Sequence, residues 1–286
     1  MNDSQIVLPD GRVLAYLEIG EPSWPCLFFF HGAPLSRLHL AYFADRFVAE
    51  KIRVIAPERP GYGRSSPQPG RTLADWSSDV RALADALGAD RFLVSGHSSG
   101  GPYAVSCAAL LSERVAGGIV LAGVTDMGWN GAWGGYSSME SALMRIADEQ
   151  AAVAWCAERF GADGARFHDV SDFEFGAPDH ALFADRRAGP AIENAVAEAF
   201  RQGIVGYAHD VFVQSRPWTF DPRRIAAPVE VLHGEADTAV PLAHSRHTSE
   251  LIPTATFTVV PGHAHMTLVH ELPALAARLA RSIGRT

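Results

Sequence analysis

The sequence predicts an α/β protein: a mostly parallel sheet covered by helices on both faces, with a helical insertion in the middle of the chain. Three observations carry this. Short, wholly apolar runs such as Cys26 to Phe30 suit strands buried on both faces. At both ends of the chain such runs alternate with segments of helical periodicity, the pattern of βαβ units. From Asp126 to about Trp218 helical segments continue, but no strand pattern appears.

The N-terminal residues read as a hairpin, with Ile6 to Leu8 and Val13 to Ile19 as strands and Asp10-Gly11 as the turn. The Cys26 to Phe30 strand ends at His31-Gly32. Leu38 to Glu50 reads as a helix and Arg53 to Ala56 as the next strand. Thr72 to Leu87 places Leu73, Trp76, Val80, Leu83 and Leu87 on one side, with Thr72 as N-cap and Gly88 as a stop. Arg91 to Gly96 reads as a strand, Gly100 to Leu111 as an Ala-rich helix and Gly118 to Ala122 as a strand. In the middle, Ser137 to Phe160 and Pro190 to Gln202 are the clearest helical stretches. Late in the chain Val229 to His233 and Thr256 to Val260 repeat the buried-strand pattern. Helices follow them at Leu242 to Leu251 and Leu272 to Ile283. The expected division is a core built from 1–125 and 219–286, with 126–218 inserted over the sheet rather than folded as an independent domain.

The bulk numbers exclude several classes. Hydrophobic residues make up 48% of the 286 and charged residues 20%, an ordinary balance for a globular protein. A net charge of −8 with no run of Lys or Arg speaks against a nucleic-acid partner. No apolar stretch reaches the roughly 18 residues of a membrane span. The N-terminus lacks a signal-peptide pattern. Cys26, Cys107 and Cys156 are too few and scattered for a disulfide framework, which fits a cytoplasmic setting.

The chemistry resides in Gly96-His97-Ser98-Ser99-Gly100, a G-x-S-x-G run between a strand and a helix. A sharp strand-to-helix turn forces its central serine into a strained conformation. Glycines two positions away on each side let the chains approach. A hydroxyl needs a base and an orienting acid to attack at neutral pH. The expected order along the chain is serine, acid, histidine. Asp237, in His233-Gly234-Glu235-Ala236-Asp237, follows a buried strand and is the expected acid; Asp126, just after an earlier strand, competes with it. His265, in Pro261-Gly262-His263-Ala264-His265, is the expected base, with His263 as its competitor. An oxyanion hole needs two backbone donors, expected from Ser99 and from Ala33 in the Phe30-His31-Gly32-Ala33-Pro34 loop. His31 is expected to brace that loop. His263, His265 and His270 lack a further ligand at the spacing of a known metal site, so neither metal nor cofactor is expected.

Together these residues resemble the α/β-hydrolase superfamily, in its branch with a helical cap. The matching pieces are the His31-Gly32-Ala33-Pro34 loop, the Pro60-Gly61-Tyr62-Gly63-Arg64-Ser65 turn, the Gly96-to-Gly100 elbow, the Gly234-to-Asp237 loop and His265. The resemblance spans about residues 12 to 275 and implies an eight-stranded, mostly parallel sheet with 126–218 as the cap. Glu58 stands where many relatives carry Asp and is expected to be structural. Gly101-Pro102 resembles a subgroup of actinobacterial-type esterases and lactonases. The nucleophile is Ser, unlike that of the haloalkane dehalogenases and epoxide hydrolases, which use Asp.

The implied function is hydrolysis of a carboxylic ester or lactone of a small to medium hydrophobic molecule through an acyl-enzyme. Trp129, Trp133, Tyr136 and Trp155 are the candidates to line an apolar cleft. The rival readings are a carbon–carbon bond hydrolase using the same three residues, a peracid-forming side activity, and a ligand-sensing receptor with a slow triad.

Overall fold

The computed structural model describes residues 1–283; positions 284–286, the end of the expected 219–286 core segment, lie outside the described residues. Eight strands form one sheet. In chain order they are β1 (Asn2–Val7), β2 (Val13–Ile19), β3 (Cys26–Phe30), β4 (Arg53–Pro57), β5 (Phe92–His97), β6 (Val115–Leu121), β7 (Val229–Gly234) and β8 (Ala255–Val260). Their spatial order is β1-β2-β4-β3-β5-β6-β7-β8. The first hairpin and the β2–β4 pair are antiparallel; every other pairing is parallel.

The helices are α1 (Ala44–Ala49), α2 (Trp76–Ala86), α3 (Gly101–Leu110), α4 (Ser138–Met144), α5 (Glu149–Phe160), α6 (Phe167–Val170), α7 (Ala177–Phe183), α8 (Ala188–Ala199), α9 (Val205–Gln214), α10 (Leu242–Leu251) and α11 (Leu272–Ile283). Alternate residues of β3 serve opposite faces. Leu27 and Phe29 join the core under α1, α8 and α11, whereas Phe28 and Phe30 join the core under α2 and α3. This is why β3 is apolar at every position: a central parallel strand has no solvent face. Helix α11 sets Leu272, Leu275, Ala276 and Leu279 on one stripe and buries it on the sheet.

Several local expectations needed correction. Leu38 to Glu50 is not one helix but a 3-10 stretch, Arg37–Phe43, followed by α1. Thr72 does not cap α2. Its backbone N–H and hydroxyl bond the Asp75 carboxylate at 2.7 and 2.8 Å, and the helix starts after Asp75. Ser137 to Phe160 breaks into α4 and α5, with Asp148 capping the second through the Ala151 N–H. Strand β8 is an edge strand on which none of the six residues is fully buried, not a buried one.

Between β6 and β7 the described residues form α4 to α9 and short 3-10 turns, with no strand. The two ends of this stretch are tied together. Asp126 Oδ1 accepts the Gly128 N–H at 3.0 Å and the Trp218 N–H at 2.9 Å, where the chain leaves the sheet and returns. No helix among the described residues is long and apolar enough to cross a membrane.

Candidate active site

The parallel pairing places the carboxyl ends of β3, β5, β6 and β7 at one rim. Phe30 pairs with Gly96 and His97 with Leu121. The loops that leave these strands therefore converge there, where open α/β sheets present their ligand sites.

Ser98 stands at the head of the turn between β5 and α3. Its φ is +55°, the left-handed region that a non-glycine residue occupies only under local constraint. The turn is tight enough to exclude side chains on both flanks. A Cβ on Gly96 would lie 2.1 Å from the Gly100 carbonyl oxygen, and one on Gly100 would lie 2.1 Å from that of Phe30. A Cβ on Gly32 would meet His97 Nδ1 at 3.1 Å and Ser98 Cβ at 3.3 Å, so the loop after β3 lies close against the Ser98 turn.

Asp237 and His265 are brought together from the loops after β7 and β8. His265 Nδ1–H donates to Asp237 Oδ2 at 2.8 Å. Asp237 Oδ1 accepts the Ala239 and Val240 N–H groups at 2.9 and 3.0 Å, which fixes the carboxylate plane. His233 Nε2 lies 3.7 Å from Asp237 Oδ2. Burial alone would push the His265 pKa down, but the Asp237 charge and hydrogen bond outweigh it and hold it above the ordinary imidazole value. Burial likewise pushes Asp237 up, and the His265 charge with its hydrogen bond brings the carboxyl below its usual range.

The His265 backbone is held from two directions. His97 Nε2–H donates to the His265 carbonyl at 3.0 Å. Asp179 on α7 accepts the Met266 and Thr267 N–H groups at 3.0 and 2.9 Å. His97 is neutral, because burial pushes its pKa down to about 3. The competing residues serve other structures. His263 Nδ1–H donates to the Thr267 carbonyl and its ring faces Glu271, while Asp126 ties the ends of the helical stretch.

Behind the Ser98 turn lies a buried ionic cluster that the sequence pattern did not single out. Arg59 donates to Asp210 of α9 through Nη2 at 2.7 Å, to Ser99 Oγ at 3.2 Å and to the His31 carbonyl. Arg71, Tyr62 and Tyr103 also donate to Asp210 at 2.9, 3.0 and 2.6 Å. His31 braces its loop by donating from Nδ1 to the Gly32 carbonyl and accepting the Arg59 N–H at Nε2. Glu58 pairs with Arg37 at 2.9 Å in the interior, away from the catalytic candidates. Long sequence separation, as between Arg59 and Asp210, hides such a cluster from any motif.

Ser98, Ser99, Ala33 and His265 all line one cavity of about 460 Å³. Its other walls come largely from α4, α6, α8, α9 and the segment that joins α6 to α7, and are mainly apolar, including Leu143, Met144, Phe167, Phe173 and Val211. Of the four aromatic candidates only Tyr136 is on the wall. Trp129 instead stacks on His247, with ring centroids 4.2 Å apart. Trp133 packs under the Arg145 guanidinium, and Trp155 packs against Phe160 and Arg159. A large aromatic in an amphipathic helix is recruited by whichever neighbour covers it, which spacing alone does not reveal.

Residues 27–279 match the sequence model of the "Alpha/beta hydrolase family". The chain is similar to the bifunctional esterase/perhydrolase DCH of Acinetobacter calcoaceticus, at 26% identity over 91% of this chain and 92% of that protein. It is similar to a non-heme chloroperoxidase of Streptomyces lividans, at 28% identity and the same coverage, 91% and 92%. Among solved structures it resembles a thermophilic esterase from Thermogutta terrifontis, with a TM-score of 0.73, 21% identity and 99% of both chains covered.

Proposed function

Because this chain belongs to the alpha/beta hydrolase family, we propose that it is a serine hydrolase that cleaves a carboxylic ester or lactone of a small to medium hydrophobic molecule. The observation that carries this reading is that Ser98, held at φ +55°, and an Asp237-bonded His265 both line one largely apolar cavity.

In this reading His265 takes the Ser98 proton as the hydroxyl attacks the carbonyl carbon. Asp237 fixes the tautomer that leaves Nε2 free and stabilises the imidazolium that forms. The Ala33 and Ser99 N–H groups hold the developing oxyanion. The alcohol leaves with the proton from His265, and water releases the acyl group by the reverse path. The 126–218 stretch acts as the cap, since its helices supply most of the apolar wall that would receive the acyl chain.

The names of the relatives favour one variation. If hydrogen peroxide rather than water takes the acyl group, the product is a peracid, and one similar protein is named an esterase/perhydrolase. The acyl-enzyme is common to both outcomes.

The test is intact-mass labelling with a fluorophosphonate, followed by a screen of uncharged esters and lactones with and without peroxide. One adduct on Ser98 is expected. Ser98→Ala is expected to lose the adduct and about 10⁴- to 10⁶-fold in turnover. A Ser98→Ala protein within tenfold of the parent's activity would remove the proposal.

A further inference from the structure

The cavity wall carries two glutamates, and the basic side chains among its described lining residues are all histidines. Glu140 on α4 and Glu193 on α8 both line it, and none of the described lining residues is Lys or Arg. The remaining titratable groups on the wall are His97, Tyr136, His168, Tyr207 and His265. From these observations, and resting on the ester-hydrolase reading, we propose that Glu140 is a specificity-determining residue: its carboxylate makes the cavity reject substrates that bear a carboxylate and favour uncharged or ammonium-bearing ones.

The position of Glu140 has a second use, which must be separated from this one. Ser137 caps α4, accepting the Glu140 N–H at 3.1 Å, so the pair has the spacing of a capping box. Capping needs the backbone N–H and a side-chain acceptor, which Gln supplies as well as Glu. The charge is therefore not required by the helix. It is costly where it stands: burial raises the Glu140 pKa to about 7, with the Ser137 hydrogen bonds opposing and the nearby Asp172 carboxylate adding to the rise. The groups that face it are Ser137, Asp172, Tyr136, Tyr207 and His265. Only His265 among them can offset an anion. It does so when protonated, the state in which it cannot act as base.

A substrate carboxylate in this cavity would meet like charge in a poorly solvated space, where such repulsion is weakly screened. A cationic end would gain what the anion loses. Rejection should deepen as pH rises through the Glu140 titration near about 7, because both Glu140 ionisation and His265 deprotonation make the cavity more negative.

The experiment uses three matched aryl esters whose acyl chains end in methyl, trimethylammonium or carboxylate. In the parent enzyme at about pH 8, kcat/KM for the carboxylate ester should fall at least about tenfold below that for the methyl ester. Glu140→Gln should remove most of that penalty and most of any advantage of the ammonium ester. Glu193→Gln should leave the penalty in place. A penalty of the same size in Glu140→Gln as in the parent, or one that disappears in Glu193→Gln alone, overturns the assignment. The same esters are titrated calorimetrically onto the Ser98→Ala protein, with and without Glu140→Gln. This reads the charge order without turnover. A parent that hydrolyses none of the esters, yet whose Ser98→Ala form keeps the charge order, would overturn the hydrolase reading and leave this inference standing. Hydrolysis without charge order would do the reverse.

Discussion

Asp237 lies 2.8 Å from the His265 ring, and the net effect on that ring is a pKa above the ordinary imidazole value despite burial. The base must be neutral to accept a proton, so activity on an uncharged ester should fall with acid through a midpoint above about 6.5. Asp237→Asn removes the charge that raises it. The midpoint should move down, and kcat should drop by about 10³- to 10⁴-fold as the wrong tautomer becomes populated. A pH–rate profile in which the two proteins share one acid limb would contradict this. Glu140 also titrates, with a pKa of about 7, so the profile should be taken in Glu140→Gln as well. The aromatic candidates divide at this scale too. Trp129→Ala and Trp155→Ala should leave KM for uncharged esters unchanged, because neither ring is on the cavity wall, whereas Met144→Ala should alter it. A rise in KM with Trp129→Ala as large as with Met144→Ala would mean that the wall has been drawn in the wrong place.

At the scale of elements, the turn between β5 and α3 depends on two glycines. Gly96→Ala would bring its Cβ 2.1 Å from the Gly100 carbonyl, so the turn must open. Loss of fluorophosphonate labelling at Ser98 is expected at temperatures where the variant still shows native circular dichroism. Labelling at the parent rate would show that the strain at Ser98 does not depend on that contact. Helix α9 is pinned to the core by Asp210, fully buried between Arg59 and Arg71. Burial pushes its pKa up, but the two guanidinium charges hold the carboxyl well below the usual range. Asp210→Asn would leave both guanidinium groups buried without their counter-charge. Breaking such a pair typically costs on the order of 3–5 kcal/mol. Denaturant unfolding should register that loss, and a variant as stable as the parent would mean the cluster is not held together by its charge.

Across the whole molecule, His31, His39, His97, His233, His244 and His270 are held below the ordinary imidazole value, in each case first by burial. Their unfolded forms take up protons below about 6.5, while the folded forms do so only at lower pH. The stability they contribute is present above about pH 6.5 and is lost as pH falls toward their folded values. Asp210 and Asp237, with lowered pKa values, add a further loss below about 3.8. Glu58, Asp79, Glu140 and His265 are shifted upward and act in the opposite sense. The histidines outnumber them, so melting temperature should decline steadily between about pH 6.5 and about pH 4. A flat profile over that range would mean that the buried imidazoles are hydrated. The sequence by itself determined the sheet strands, the tight turn at Ser98 and which loops carry Asp237 and His265. Each depends on a local rule: apolar runs for double burial, glycines around a tight turn, loop residues after a strand end. It could not determine that Asp210 closes on Arg59, that Asp179 and His97 hold the His265 backbone, or that Glu140 rather than Trp129 faces the cavity. Those contacts join residues far apart in the chain, and their partners are selected by how the 126–218 helices pack over the sheet rim, which no local pattern encodes.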